Sequence, residues 1–369
     1  MSRLISRHFS QAGLFLALVL CFKSCVVAGL QASAEALATT YSLTTSTTFP
    51  FPTATLNSSE AQSHIVANWA LYDDRIEDGA DNLAFVTNPI SDSSSGNSTS
   101  DIVLQVKYPA GSYSHPTGGA QFYNIWNTSD GSKFESMLLY YEVAFPTGFD
   151  WVKGGKLPGL RGGPNANGCD GGNQPDGSDC FSTRLMWRRA GAGEVYAYIL
   201  TPNDLCNEKS ITCNSDYGVR QVRTKAQFNN NVLISRSSID TGSFSFGAGQ
   251  WNSVALLVQM NNPVDIANGN VELYYDDLQV ISQQNLQFRA NTSISANGLF
   301  FSTFFGGSDD SWATPNTTYA YFRNFQMWGG STPSTLSGTK VKSSVIHRLS
   351  FSGDRMLSML LSVLISLWI

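Results

Sequence analysis

Apolar and polar residues alternate with a period of two through much of the middle of the chain. In residues 137–146 ("MLLYYEVAFP"), Met137, Leu139, Tyr141, Val143 and Phe145 fall on one face of an extended strand. Comparable runs are "DIVLQVKYP" from Asp101, "FSTRLMWRR" and "EVYAYIL", then "SVALLVQM", "GNVELYYDDLQVI", "GLFFSTFF" and "YAYFRNFQMW". Turns rich in Gly and Asn separate them, and no long stretch repeats at the 3.6-residue helical period. The pattern predicts an all-β fold of two packed antiparallel sheets, a β-sandwich wired as a β-jelly roll. No internal repeat or linker divides residues 63–330, which read as one domain.

The flanks carry a different signal. Residues 1–34 combine Arg3 and Arg7 with the apolar run "AGLFLALVLCF" and a small-residue A-x-A ending at Ala34, the layout of a secretory signal. Residues 35–62 are rich in Ser and Thr and predict an extended lead-in outside the core. Residues 331–355 read as a Ser/Thr-rich stalk. The tail "MLSMLLSVLISLWI", residues 356–369, follows small residues and a polar spacer, as in the signal for a glycosyl-phosphatidylinositol anchor. The expected location is therefore the outer leaflet of the plasma membrane or the cell wall.

Four cysteines remain after the signal, and their short-range pairing, Cys169 with Cys180 and Cys206 with Cys213, is the expected one. Sequons at Asn57, Asn97, Asn127, Asn291 and Asn316 should lie at the surface. Charged residues make up 14% and the net charge is −5, which argues against general nucleic-acid binding. Residues 151–225 nevertheless hold ten Lys or Arg against seven Asp or Glu. A basic segment in an acidic protein suits an acidic polysaccharide, because steering follows local potential. A monomer is expected.

That segment also breaks the usual rule for a solvated strand face. Ser182, Arg184, Met186 and Arg188 share one face of their strand, and Glu194, Tyr196, Tyr198 and Leu200 share one face of the next. A hairpin with Arg189 opposite Gly193 sets Arg184 against Tyr198. A two-residue shift keeps the faces and sets Arg184 against Tyr196. Upstream, "DWVKGGKLPGLRGG" offers Lys153, Lys156 and Arg161 among glycines that allow close backbone approach. Lys153, Arg161 and Arg188 are the expected substrate-binding cations.

The "GGKLPGL" block, with Ser182-x-Arg184 and Tyr196-x-Tyr198, resembles polysaccharide lyase family 14, whose members act on alginate or glucuronan. The likeness runs from about Gln121 to Trp328 and suggests a fungal-type, lipid-anchored member. It implies a β-jelly roll with Lys156, Ser182, Arg184, Tyr196 and Tyr198 lining a catalytic cleft. Viral members carry a cleft His between that Lys and Ser, and none occurs there in this chain. The implied reaction is β-elimination of a 4-linked polyuronide. Arg184 and Lys156 would neutralise the uronate carboxylate, Ser182 would donate a hydrogen bond to it, and Tyr198, its pKa lowered by nearby cations, would serve as base or acid, with Lys156 the alternative base. No metal or cofactor is required.

Competing chemistries fit less well. Glu135 and Glu142 would occupy opposite faces of one strand, and Glu272 with Asp276 lie away from the cationic segment, so a paired-carboxylate hydrolase is disfavoured. No G-x-S-x-G elbow supports an esterase. His64, His115 and His347 read as surface or packing residues.

Overall fold

The computed structural model describes residues 32–91, 102–126, 128, 130–166, 168–173, 175–202, 204–208, 210–213, 219–222 and 244–341. In chain order the elements begin with α1 (Ala34–Thr40), β1 (Thr45–Thr48), α2 (Ser58–Asn68), β2 (Leu83–Thr87), β3 (Ile102–Tyr108) and β4 (Ala120–Tyr123). They continue with β5 (Ser136–Ala144), β6 (Gly154–Gly162), β7 (Phe181–Arg188), β8 (Gly193–Tyr198), β9 (Ile211–Cys213) and β10 (Val219–Val222). The last are β11 (Trp251–Gln259), β12 (Ile266–Ala267), β13 (Gly269–Tyr275), β14 (Leu278–Leu286), β15 (Ala296–Phe305), β16 (Thr318–Gly330) and β17 (Thr339–Lys340).

Two antiparallel sheets form a jelly-roll-like sandwich. One has the order β14-β13-β11-β5-β16-β3-β2, with β1 added on β16, and the other the order β4-β15-β6-β7-β8-β10-β9. The alternating face of β5 (Met137, Leu139, Tyr141, Val143) points into the core. It meets Leu157, Leu160, Leu185, Trp187, Val195 and Ala197 from the opposite sheet. On β7 the odd residues Leu185 and Trp187 are thus core, which leaves Arg184, Met186 and Arg188 on the outer face. Period two alone separates core from site.

The expected lead-in proves to be part of the fold. α1 begins at the Ser33 cap and lays Leu37 and Ala38, with Leu43, over Leu138, Leu257, Tyr274 and Trp328. β1 then pairs with β16, and Phe49 enters the main core. These few apolar residues have no period of their own. What orders them is an apolar outer sheet face that must be shielded from water. The C-terminal boundary moves too: Ser334 is buried, and β17 pairs with β12. Residues 1–31 and 342–369, which carry most of the expected signal and the whole expected tail, lie outside the described residues. No helix among the described residues is long and apolar enough to cross a membrane.

The disulfides are Cys169–Cys180 and Cys206–Cys213. Asn57, Asn291 and Asn316 are exposed, and Asn57 also caps α2; Asn97 and Asn127 lie outside the described residues.

Candidate active site

A cleft of about 480 Å³ opens on the outer face of the seven-stranded sheet. Its floor follows from strand register. Lys156 on β6 pairs with Met186 on β7 and Phe304 on β15, and Arg184 pairs with Tyr196 on β8. The hairpin thus adopts the shifted register, with Ser182 opposite Tyr198. The short turn Arg189–Gly191 fixes it, since Trp187 rather than Arg189 faces Gly193.

Lys156 is buried, and its Nζ lies 2.9 Å from Met186 Sδ and 3.3 Å from the centre of the Tyr196 ring. It has no carboxylate partner among the described residues. Burial, then the charges of Arg184 and Arg188, hold its pKa well below the ordinary lysine value. Both effects favour the uncharged amine, the form that can accept a proton.

Arg184 is also buried and lies over Phe300, 4.2 Å from guanidinium carbon to ring centre. Its Nη1 donates to Ser302 Oγ at 3.2 Å, and Ser302 donates to Gln121 Oε1. Its Nε is buried without an acceptor. A buried orphan donor on a permanent cation is costly unless another acceptor arrives. Arg188, by contrast, lines the cleft while bound to Glu194 Oε1 at 2.5 Å.

The tyrosines differ. Burial, the largest influence, raises the Tyr196 pKa, so Tyr196 keeps its proton. Tyr198 Oη accepts from the Gly172 amide at 3.1 Å, which leaves its own hydrogen free to be donated.

Two expected site residues play other parts, and a third stands at the edge of the cleft. Ser182 is fully buried and donates to Cys169 O at 2.7 Å, so its hydroxyl holds the disulfide loop rather than facing substrate. Arg161 is 1% exposed, with its guanidinium on Asn297 Oδ1, Gly163 O and Asn165 O. It shares the cleft face because a bulge between Leu157 and Leu160 resets the strand's parity, but the disulfide loop covers it. Lys153 stands at the rim, donating to Ser311 Oγ and lying 5.6 Å from the Trp312 ring.

The cleft walls were not legible in the sequence. Ser114 and His115 arrive from the β3–β4 connection. His115 Nδ1 sits 2.8 Å from Asp78 Oδ2, and its ring lies against Phe304. An imidazole therefore reaches the cleft from outside the interval in which one was sought. Asp170 and Gly172 come from the disulfide loop, and Trp312 from the loop after β15. His64 is half-buried, bonded to Pro50 O and packed edge-on against Phe85, whereas His347 lies outside the described residues.

With this geometry in place, comparison is informative. The polysaccharide lyase 14 sequence profile matches residues 96–235 and 235–325. The chain belongs to this family. The crystal structure of the marine PL-14 alginate lyase from Aplysia kurodai is 32% identical, with a TM-score of 0.58 over 76% of this chain and all of that one. Two other solved structures share the fold at 18% identity. Alginate lyase vAL-1 from Chlorella virus covers 75% of this chain and 99% of its own at a TM-score of 0.50. Alginate lyase Aly36B covers 76% and 96% at 0.52. No curated protein sequence matches the chain.

Proposed function

We propose that this family 14 protein cleaves a 4-linked polyuronide of the alginate or glucuronan type by β-elimination in the cleft above β6, β7 and β8. The observation that carries the reading is a buried lysine amine held toward its uncharged form, beside an arginine whose Nε has no acceptor among the described residues and two tyrosine hydroxyls. Lys156 Nζ takes the proton from C5 of the uronate. The electron pair left behind spreads onto the adjacent carboxylate, where Arg184 supplies positive charge and its free Nε–H. As the C4–C5 double bond forms, the C4–O4 bond breaks and a tyrosine hydroxyl protonates the departing oxygen. Tyr198 is suited to that step because its oxygen already accepts from Gly172. All donors are fixed before substrate arrives, so little reorganisation opposes the reaction.

The distribution of carboxylates disfavours hydrolysis. Glu135 is paired with Arg289, Glu142 with Arg323, and Glu272 accepts from Tyr41 and Tyr274. Among the described residues the cleft lining holds one carboxylate, Asp170, and no opposed pair. Secretion as a monomer, with a lipid anchor at the cell surface, is part of the proposal. The apolar runs at both ends, the two disulfides and the exposed sequons support it.

The test is to incubate purified protein with mannuronate-rich alginate, guluronate-rich alginate and glucuronan while following the ultraviolet absorbance of unsaturated uronate. Growth of that signal with one of them, lost in Lys156→Ala, is expected. New reducing ends without unsaturation would overturn elimination in favour of hydrolysis.

A further inference from the structure

The cleft is asymmetric along its length. At one end the disulfide loop closes over it with Asp170, backed by Glu77 and Asp78; they are held by Tyr123, Arg75 and His115, and three carboxylates gathered in one place disfavour a uronate. At the other end β15 runs out at Phe305, opposite Gly155, and Gly306 N bonds to Gly154 O. Gly154 is two residues from Lys156, about 7 Å at strand rise, or roughly one sugar unit. From this end the loop turns back so that Trp312 lines the cleft.

Trp312 is half-buried, and its position is built into the backbone. A Cβ on Gly307, which has φ +83°, would fall 2.0 Å from the indole, so only glycine lets the ring settle there. Lys153 lies beside the ring and bonds to Ser311, whose amide in turn binds Asp309. The carboxylates of this loop are engaged within the wall: Asp309 caps the turn, and Asp310 accepts from Tyr113. A large aromatic surface is thereby held in place and partly exposed at the Gly306 end of the cleft. Its conformational entropy is already lost before any ligand binds.

We propose that Trp312 is a stacking platform for a sugar ring one or more units from the bond that breaks, with Lys153 beside it to meet that unit's carboxylate. The polyuronide then extends from Lys156 toward Trp312 and away from Asp170. This inference rests on the lyase reading for its kinetic test, but not for its binding test.

The experiment compares wild type, Trp312→Ala and Trp312→Phe on a size series of oligouronides and on polymer. For Trp312→Ala, kcat/KM should fall about tenfold on long chains through KM. It should change less than twofold on the shortest oligomer cleaved. Trp312→Phe should recover most of the loss, and thermal unfolding checks each variant. An equal fall on every length, or no fall on polymer, would overturn the platform. Where wild type yields no unsaturated product, calorimetric binding of the same polymer decides alone. Weaker binding by Trp312→Ala keeps the platform while the lyase reading fails; unchanged binding removes it.

Discussion

The two outer faces of the sandwich have opposite fates. On the eight-stranded sheet, Leu138, Leu257, Tyr274 and Trp328 form an apolar face that the N-terminal segment covers with Leu37, Ala38 and Leu43. On the seven-stranded sheet, the face is built from Lys156, Arg184, Met186, Tyr196 and Tyr198 and remains open as a cleft. The first face is completed by the chain itself. The second holds Arg184 Nε, which has no acceptor among the described residues, and Lys156, which has no carboxylate there, and such groups mark where a ligand belongs. The same contrast recurs within β6. Arg161 has three oxygen acceptors and is structural, whereas five residues away Lys156 meets a thioether and a ring face.

The sharpest way to break this contrast is Arg161→Met. Removing the guanidinium takes the donor from Asn165 O and Asn297 Oδ1 and leaves Gly163 O with Asn297 Nδ2 alone, and should cost about 4 kcal/mol of stability, read by denaturant unfolding. A loss below about 1 kcal/mol would show that Arg161 is not the structural cation of the pair.

Lys156→Met should do the reverse. Turnover falls at least 10²-fold, about 3 kcal/mol in the transition state, while stability at neutral pH holds or rises. The sign follows from linkage. The Lys156 pKa is depressed in the folded state, so above that depressed value and up to about pH 10.4 the unfolded chain binds more protons. Its contribution to wild-type stability therefore rises with pH between its depressed folded value and the ordinary lysine value. Lys156→Met should remove that slope, and an unchanged slope in unfolding titrations would refute the neutral amine. Activity in the wild type should climb as pH rises through the same folded-state value.

Cys169→Ser with Cys180→Ser tests how the covered part of the face supports the open part. Loss of this short loop closure should cost about 2 to 3 kcal/mol. Because Gly172 positions Tyr198 and Cys169 O receives Ser182, turnover should fall as well. Retained turnover in a folded double variant would detach the loop from Tyr198.

Leu37→Ala probes the covered face with the smallest effect. About 2 kcal/mol of stability should be lost, with kcat and KM unchanged. A change in kinetics would mean that the two outer faces are coupled.

Much of this could be read from residue order. Period two in residues 137–146 named the core face of β5, and in residues 182–188 and 194–198 it set the cationic and tyrosyl residues on the face opposite the core. Side-chain alternation is a local consequence of extended backbone and survives any packing. The sequence by itself thus determined the sandwich class and the grouping of Arg184, Tyr196 and Tyr198.

Tertiary structure decided the rest. The bulge between Leu157 and Leu160 brings Arg161 to the Lys156 face, although straight alternation over five residues would separate them. A two-residue register choice, invisible to pattern, places Arg184 against Tyr196. His115, Asp170 and Trp312 reach the cleft from three separate loops, and the isolated apolar residues of the N-terminal segment find their order on a distant sheet. Each of these depends on contacts between residues far apart in the chain, which carry no periodic signal. The protonation of Lys156 depends on them most of all, since a lysine is neutral or charged according to what surrounds it after the chain has folded.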